Sequence, residues 1–182
     1  GGGKGGLKVI SVEERRAQDI PSPAALDDAV TGTRELLKIT SAEKSGGFGT
    51  ATGGGMTWAR AIRAKAEGLP LAAALAPGTP WTDLTKTGDS YFVNEGVDNI
   101  LVSYDGWLED AAKLYAAGHD LKDPMLSPVY GDVAGFPPTL LTTGTRDLFL
   151  SNTVRMHLKL RQAGVAADLI VFEGMSHGHY MV

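Results

Sequence analysis

The chain has no cysteine, so disulfides and thiolate chemistry are excluded. It has no apolar run near the roughly 18 residues of a membrane-spanning helix. Its N-terminus lacks the apolar stretch of a secretory signal. It has no excess of basic charge: Lys and Arg number 17 against 21 Asp and Glu, a net charge of -4. That balance carries no electrostatic footprint for nucleic acid or an anionic membrane. Together these absences predict a cytoplasmic protein that binds no nucleic acid and has no membrane span. What is abundant is glycine, 24 residues, concentrated at positions 1–6 and 46–55. A hydrophobic fraction of 43% over 182 residues suffices for one domain with a proper core. The expected division is a glycine-rich lead-in over 1–6 and a single α/β domain over 7–182.

The second glycine cluster contains Gly49-Thr50-Ala51-Thr52-Gly53. Glycines two residues before and two after a central position, with a helical pattern following from Met56 to Glu67, form the layout of a nucleophile elbow, G-x-S-x-G. In that turn a strand passes sharply into a helix and exposes the central side chain. The flanking glycines let the two elements approach without a Cβ clash. Here the central residue is Ala51, so the scaffold of the motif is present and its reactive oxygen is not.

Around this turn the chain alternates β-rich and helical stretches. Strands are expected at Leu7–Val12, Ser45–Phe48, Leu71–Ala76, Thr139–Gly144 and Asp168–Phe172. Pro77-Gly78 is expected to close the third. Ser22-Pro23 reads as the start of a helix, serine capping and proline at its first position. Leu26, Val30, Thr33 and Leu37 give that helix its apolar face. A further amphipathic helix is expected over Trp107–Ala117, and another over Asn152–Gln162 with Val154 and Leu158 on one face. Residues 79–104 read as irregular. Strands alternating with helices imply βαβ units and a mostly parallel sheet with helices on both faces.

In open α/β sheets the functional groups stand on loops at the carboxyl ends of strands. Asp147 follows the fourth expected strand in Gly144-Thr145-Arg146-Asp147. His177 follows the fifth in Glu173-Gly174-Met175-Ser176-His177. Singly, such an aspartate is usually a turn or cap residue and such a histidine a surface residue. Together with the elbow they stand in the order nucleophile, acid, base, which is the chain order of α/β-hydrolase triads. The chemistry accounts for the residue types. The histidine takes a proton from the nucleophile and returns it to the leaving group, and the carboxylate holds the imidazole tautomer. A backbone N–H of the residue after the nucleophile, here Thr52, stabilises the oxyanion. His179 is the competing base. Thr50 and Thr52 flank the elbow position with side chains directed away from its tip. Trp81, Tyr91, Phe92 and Trp107 are candidates to line an acyl pocket, with ordinary packing under a long loop the commoner role of such residues.

These stretches resemble the bacterial hormone-sensitive-lipase-like esterases, the α/β-hydrolase fold 3 family. Pro23-Ala24-Ala25-Leu26-Asp27-Asp28-Ala29 is similar to the family's "PAALDDA" helix. Val9-Ile10-Ser11-Val12-Glu13 resembles the strand leading to its "DYR" segment, with Glu14 in place of the tyrosine. Gly49 to Gly54 resembles "G-[DT]-S-A-G-G", and Thr50 places it with the GTSAG branch. Gly144-Thr145-Arg146-Asp147 and Gly174-Met175-Ser176-His177 resemble the acid and base loops. The resemblance runs from Leu7 to the C-terminus. Ala51 and Thr52 stand where the family has serine and alanine.

The resemblance implies an α/β-hydrolase fold without a cap domain and truncated at its N-terminus. It implies a carboxylic ester hydrolase acting on short acyl esters, with no metal or other cofactor, and a catalytic set of Ala51 (at the nucleophile position), Asp147 and His177. The family's "HGGG" oxyanion loop has its only counterpart here in the first glycines, so Gly2 and Gly3 join Thr52 as oxyanion candidates. With alanine at the elbow, esterase activity is expected to be absent or slight. The alternatives are a non-catalytic small-ligand-binding protein on the same fold, as in the plant gibberellin receptor that the family also resembles, or an incomplete esterase chain. Missing early strands would leave an unpaired sheet edge open to another chain, as in a homodimer.

Overall fold

The computed structural model describes residues 5–181, and Gly2 and Gly3 lie outside them. Within that span four parallel strands form one sheet in the order β1-β2-β3-β4: β1 Gly46–Thr50, β2 Ala74–Gly78, β3 Thr139–Gly144 and β4 Ala167–Phe172. Because every pairing is parallel, each connection must cross over the sheet. The crossovers carry α2 (Thr52–Ala66), α3 (Ser90–Val93), α4 (Trp107–Ala116) and α5 (Leu150–Gln162), while α1 (Ala24–Leu37) precedes β1 and packs on α2.

Helices meet both faces of the sheet, unequally. On one face Trp58 and Ile62 of α2 and Met156 and Leu160 of α5 bury against Leu75 and Leu141. Trp58 stacks on Phe136 with ring centroids 6.0 Å apart. Among the described residues the opposite face is met by a single short helical turn, His179–Met181, whose Tyr180 lies over Gly78 and Thr142 and stacks on Phe172. The remaining apolar residues of that face, Phe48, Leu140 and Ile170, are exposed.

A strand expected at Leu7–Val12 does not form. The segment has no regular secondary structure, and Leu7, Val9, Ile10 and Val12 are exposed. A strand exists by pairing, and among the described residues β1 is the edge of the sheet on that side, with nothing hydrogen-bonded beyond it. The segment instead runs along α1: Val12 sits over Gly32, and Arg15 grips Asp28 through paired N–H···O bonds of 2.8–3.1 Å.

Helix α1 begins at Ala24 with Pro23 at its cap, and Ser22 makes no side-chain cap bond; its N–H goes to the Tyr115 carbonyl. The expected apolar stripe packs, led by Leu26 and Val30. Strand β2 lies two to three residues later than β-propensity suggested and contains Pro77 and Gly78, because the register on β1 sets Gly49 opposite Pro77 and Thr50 opposite Gly78. Helix α5 buries the other stripe from the one expected: Thr153, Met156 and Leu160 pack, while Val154 and Leu158 face solvent. Residues 79–104, read as irregular, contain α3 and carry much of a second core in which Trp81, Leu84, Tyr91 and Tyr104 pack with Leu108, Leu148 and Phe149. That core backs the site.

Candidate active site

Ala51 is the turn between β1 and α2. Its backbone stands at φ 52°, ψ −118°, a region an L-residue occupies only under constraint. Two hydrogen bonds to the next strand supply the constraint. The Ala51 N–H donates to the Gly78 carbonyl at 3.0 Å, and the Ala51 carbonyl accepts from the Trp81 N–H at 2.9 Å. Gly49 completes it. A Cβ there would stand 2.2 Å from the Gly53 carbonyl oxygen, so only glycine permits α2 to leave the strand at this angle. The elbow geometry inferred from residue spacing is therefore present. Thr52 is the first residue of α2, so its N–H has no carbonyl of the helix to bond and stays free to meet an acceptor.

Asp147 and His177 are brought together. His177 Nδ1 lies 3.0 Å from Asp147 Oδ1, and both side chains are buried. The carboxylate is held on both oxygens. Oδ1 also accepts the Phe149 N–H at 2.8 Å, and Oδ2 accepts the hydroxyls of Thr143, at 2.8 Å, and Thr79. The Asp147 backbone is fixed by the Asn94 side-chain amide, which donates to its carbonyl at 2.9 Å. Asp98 accepts the N–H of the following residue, Leu148, at 2.9 Å. The loop carrying His177 closes on the loop carrying Asp147 at Gly144, where a Cβ would stand 2.0 Å from the Met175 carbonyl oxygen. Phe149 meets the His177 ring edge-on at 5.0 Å. His179 makes no hydrogen bond to Asp147, which is committed to His177.

The elbow and the Asp147–His177 pair share one short segment. Gly78 receives the Ala51 N–H, and Thr79, the next residue, touches both members of the pair, its Oγ1 standing 2.9 Å from His177 Nδ1. Sequence reasoning missed Thr79, and also Asn94 and Asp98. All three fall in the stretch read as irregular. The one local signal was that of Thr79, which stands just past the end of β2, where open α/β sheets place functional groups; Asn94 and Asp98 lie beyond α3 and carried none.

A cavity of about 310 Å³ opens beside the start of α2, lined by Thr52, Gly55, Met56 and Ala59 together with Trp81, Leu84 and Tyr115. Of the four aromatic candidates for a pocket wall, Trp81 alone lines it. Tyr91 is fully buried in the second core, and Phe92 and Trp107 are exposed. Burial pushes the Tyr115 phenol up to about 12, so it meets the cavity as a neutral hydroxyl. Among the described residues no helix is long and apolar enough to cross a membrane.

A parallel sheet with a strained elbow after one strand and a buried acid–histidine pair after the last two defines a class, and the chain belongs to the alpha/beta hydrolase fold family, whose profile matches residues 3–181. It is 30% identical to an acetyl-hydrolase of Streptomyces hygroscopicus over 97% of this chain and 58% of that one. It is 28% identical to an esterase of Acinetobacter venetianus over 96% and 58%. Among solved structures it superimposes on a crystallised esterase with TM-score 0.95 and 52% identity, covering 97% of this chain and 54% of the other. A hormone-sensitive lipase from a metagenome library gives 0.86 and 36%, covering 90% and 56%. The chain thus spans somewhat over half the length of these relatives.

Proposed function

We propose that this is the site of a carboxylic ester hydrolase for short acyl esters, silent as written because Ala51 occupies the nucleophile position. The observation that supports it most is the buried His177–Asp147 hydrogen bond of 3.0 Å, one residue removed from the segment that anchors the elbow. A pair so fully hydrogen-bonded has the form of a general base and its orienting carboxylate. Relatives described as an acetyl-hydrolase and an esterase favour an ester substrate.

With a hydroxyl at position 51, the steps are those of acyl transfer. The oxygen attacks the ester carbonyl as its proton passes to His177 Nε2, the ring nitrogen turned away from Asp147. The oxyanion takes a hydrogen bond from the Thr52 N–H. The proton then passes to the departing alkoxide, and water repeats the sequence on the acyl-enzyme. The methyl of Ala51 has no lone pair and no proton to give, and loss of a triad serine costs on the order of 10⁶ in kcat. The cavity beside Thr52, bordered by Glu14, Arg15 and Arg16 but lined for the most part by apolar groups such as Met56, Ala59, Trp81 and Leu84, suits a small acyl chain.

A second reading follows from the same alanine. A site with a formed cavity and no nucleophile can hold an ester or acid without turning it over. Exposure of Ala51→Ser to an alkyl fluorophosphonate, followed by intact mass measurement, separates the two. A single covalent adduct on the variant, absent from the chain as written, supports the hydrolase site. No adduct on a cooperatively folded variant favours the binding reading.

A further inference from the structure

Thr79 carries a conformation its residue type disfavours. It is β-branched, completely buried, and stands at φ 41°. Its backbone is pinned there, the Thr79 N–H donating to the Thr142 carbonyl at 2.6 Å. What the conformation achieves is the placement of one hydroxyl between two groups: Oγ1 bonds Asp147 Oδ2 and stands 2.9 Å from His177 Nδ1.

A threonine hydroxyl has one proton and two lone pairs, and a carboxylate only accepts. The proton of Thr79 is therefore spent on Asp147, and the hydroxyl can offer His177 a lone pair alone. A lone pair is satisfied only by an Nδ1–H. Were Nδ1 unprotonated, it would face acceptors on two sides, Asp147 Oδ1 at 3.0 Å and Thr79 Oγ1 at 2.9 Å, with no donor between them. We propose that Thr79 is a positioning residue that, with Asp147, locks His177 in the tautomer protonated at Nδ1 and so leaves the Nε2 lone pair free. Asp147 sets the tautomer from one direction; Thr79 sets it from a second and fixes the plane of the ring. The functional meaning of that lock rests on His177 being the base of the proposed hydrolase, but the lock itself is a property of the chain as written.

The test reads the tautomer directly and needs no turnover. Two-bond ¹⁵N–¹H correlation spectra of histidine-labelled protein distinguish a protonated from an unprotonated ring nitrogen. In the chain as written, at a pH where His177 is neutral, Nδ1 should read as protonated and Nε2 as bare. Thr79→Val keeps the shape and removes the hydroxyl, and should lower the ratio of the Nδ1–H to the Nε2–H form several-fold. Thr79→Ser keeps the hydroxyl and should restore it. Should Thr79→Val fold poorly, Thr79→Gly removes the hydroxyl while relieving the backbone, and should show the same loss. In an Ala51→Ser background, Thr79→Val should lower kcat on the order of 10²-fold with KM little changed. An unchanged tautomer ratio without the hydroxyl, or a loss that Thr79→Ser does not reverse, would overturn the proposal. An inactive Ala51→Ser protein with a Thr79-dependent tautomer would instead leave the lock standing and remove the hydrolase reading.

Discussion

Phe149 and His177 meet edge to face with ring centroids 5.0 Å apart, and Phe149 also donates its backbone N–H to the carboxylate that holds the histidine. One residue thus packs His177 and fastens its partner. Phe149 is 1% exposed and belongs to the second core, so Phe149→Ala removes a full ring from a packed interior. It should cost about 3–5 kcal/mol, read as a lowered denaturation midpoint. Phe149→Leu keeps the volume better and should cost under about half of that. Equal losses would show that the aromatic ring itself, not the buried volume it fills, is what the packing requires.

The elbow's glycines are not equivalent. A Cβ on Gly49 would stand 2.2 Å from the Gly53 carbonyl oxygen, whereas one on Gly53 would meet nothing within 4 Å. Gly49→Ala should therefore destabilise by at least about 1–3 kcal/mol through overpacking against backbone. Gly53→Ala, in the first turn of α2, should stabilise by about 0.5–1 kcal/mol through the lower entropy of the unfolded chain. Urea melts of the two variants would check both signs at once.

Asp83 is completely buried and its Oδ2 accepts from Arg155 at 2.8 Å and from the Tyr130 hydroxyl at 2.8 Å. Removing the cation alone strands a buried carboxylate. Arg155→Met should destabilise by about 3–5 kcal/mol, and Asp83→Asn combined with it should recover part of the loss. Calorimetric melts of the single and double variants decide it; a double variant less stable than Arg155→Met alone would contradict the account.

How far the sequence carried can be seen at these positions. The elbow was legible because its signal is local: glycine, two residues, alanine, two residues, glycine, then a helix. Asp147 and His177 were legible because their loops follow strands in a known order. Thr79 was not, because its partners lie 68 and 98 residues away and its defining feature is a backbone angle that no neighbour in the chain announces. Leu7–Val12 was misread for a related reason. Its composition favours a strand, but a strand depends on a neighbour to pair with. The packed stripe of α5 was mistaken because two stripes compete there, and Met156 and Leu160 win by facing Leu141 in the first core.

The open sheet face gives a prediction about association. Phe48 on β1, Leu140 on β3 and Ile170 on β4 are exposed on one face of the sheet with no helix over them among the described residues. Apolar surface of this kind drives self-association. Sedimentation of the chain should show concentration-dependent species, and Phe48→Lys with Ile170→Lys should shift it toward monomer. A monomer at all concentrations before substitution would refute this.

The cavity beside α2 predicts how acyl length is read. Met56 lines it, half-buried against Leu26, Val30 and Ala59, so Met56→Trp should narrow it. In an Ala51→Ser background, kcat/KM for a six-carbon acyl ester should fall at least about tenfold relative to that for the acetyl ester, a difference of about 1.4 kcal/mol. An unaltered ratio would place the acyl chain elsewhere.

The most direct measurement is hydrolysis of p-nitrophenyl acetate by Ala51→Ser, by the chain as written, and by Ala51→Ser with His177→Ala. The account predicts turnover by the first alone, because the variant returns to the elbow the hydroxyl that the proposed set of position 51, Asp147 and His177 requires. Equal rates from all three, or robust turnover by the chain with Ala51 that His177→Ala abolishes, would contradict it.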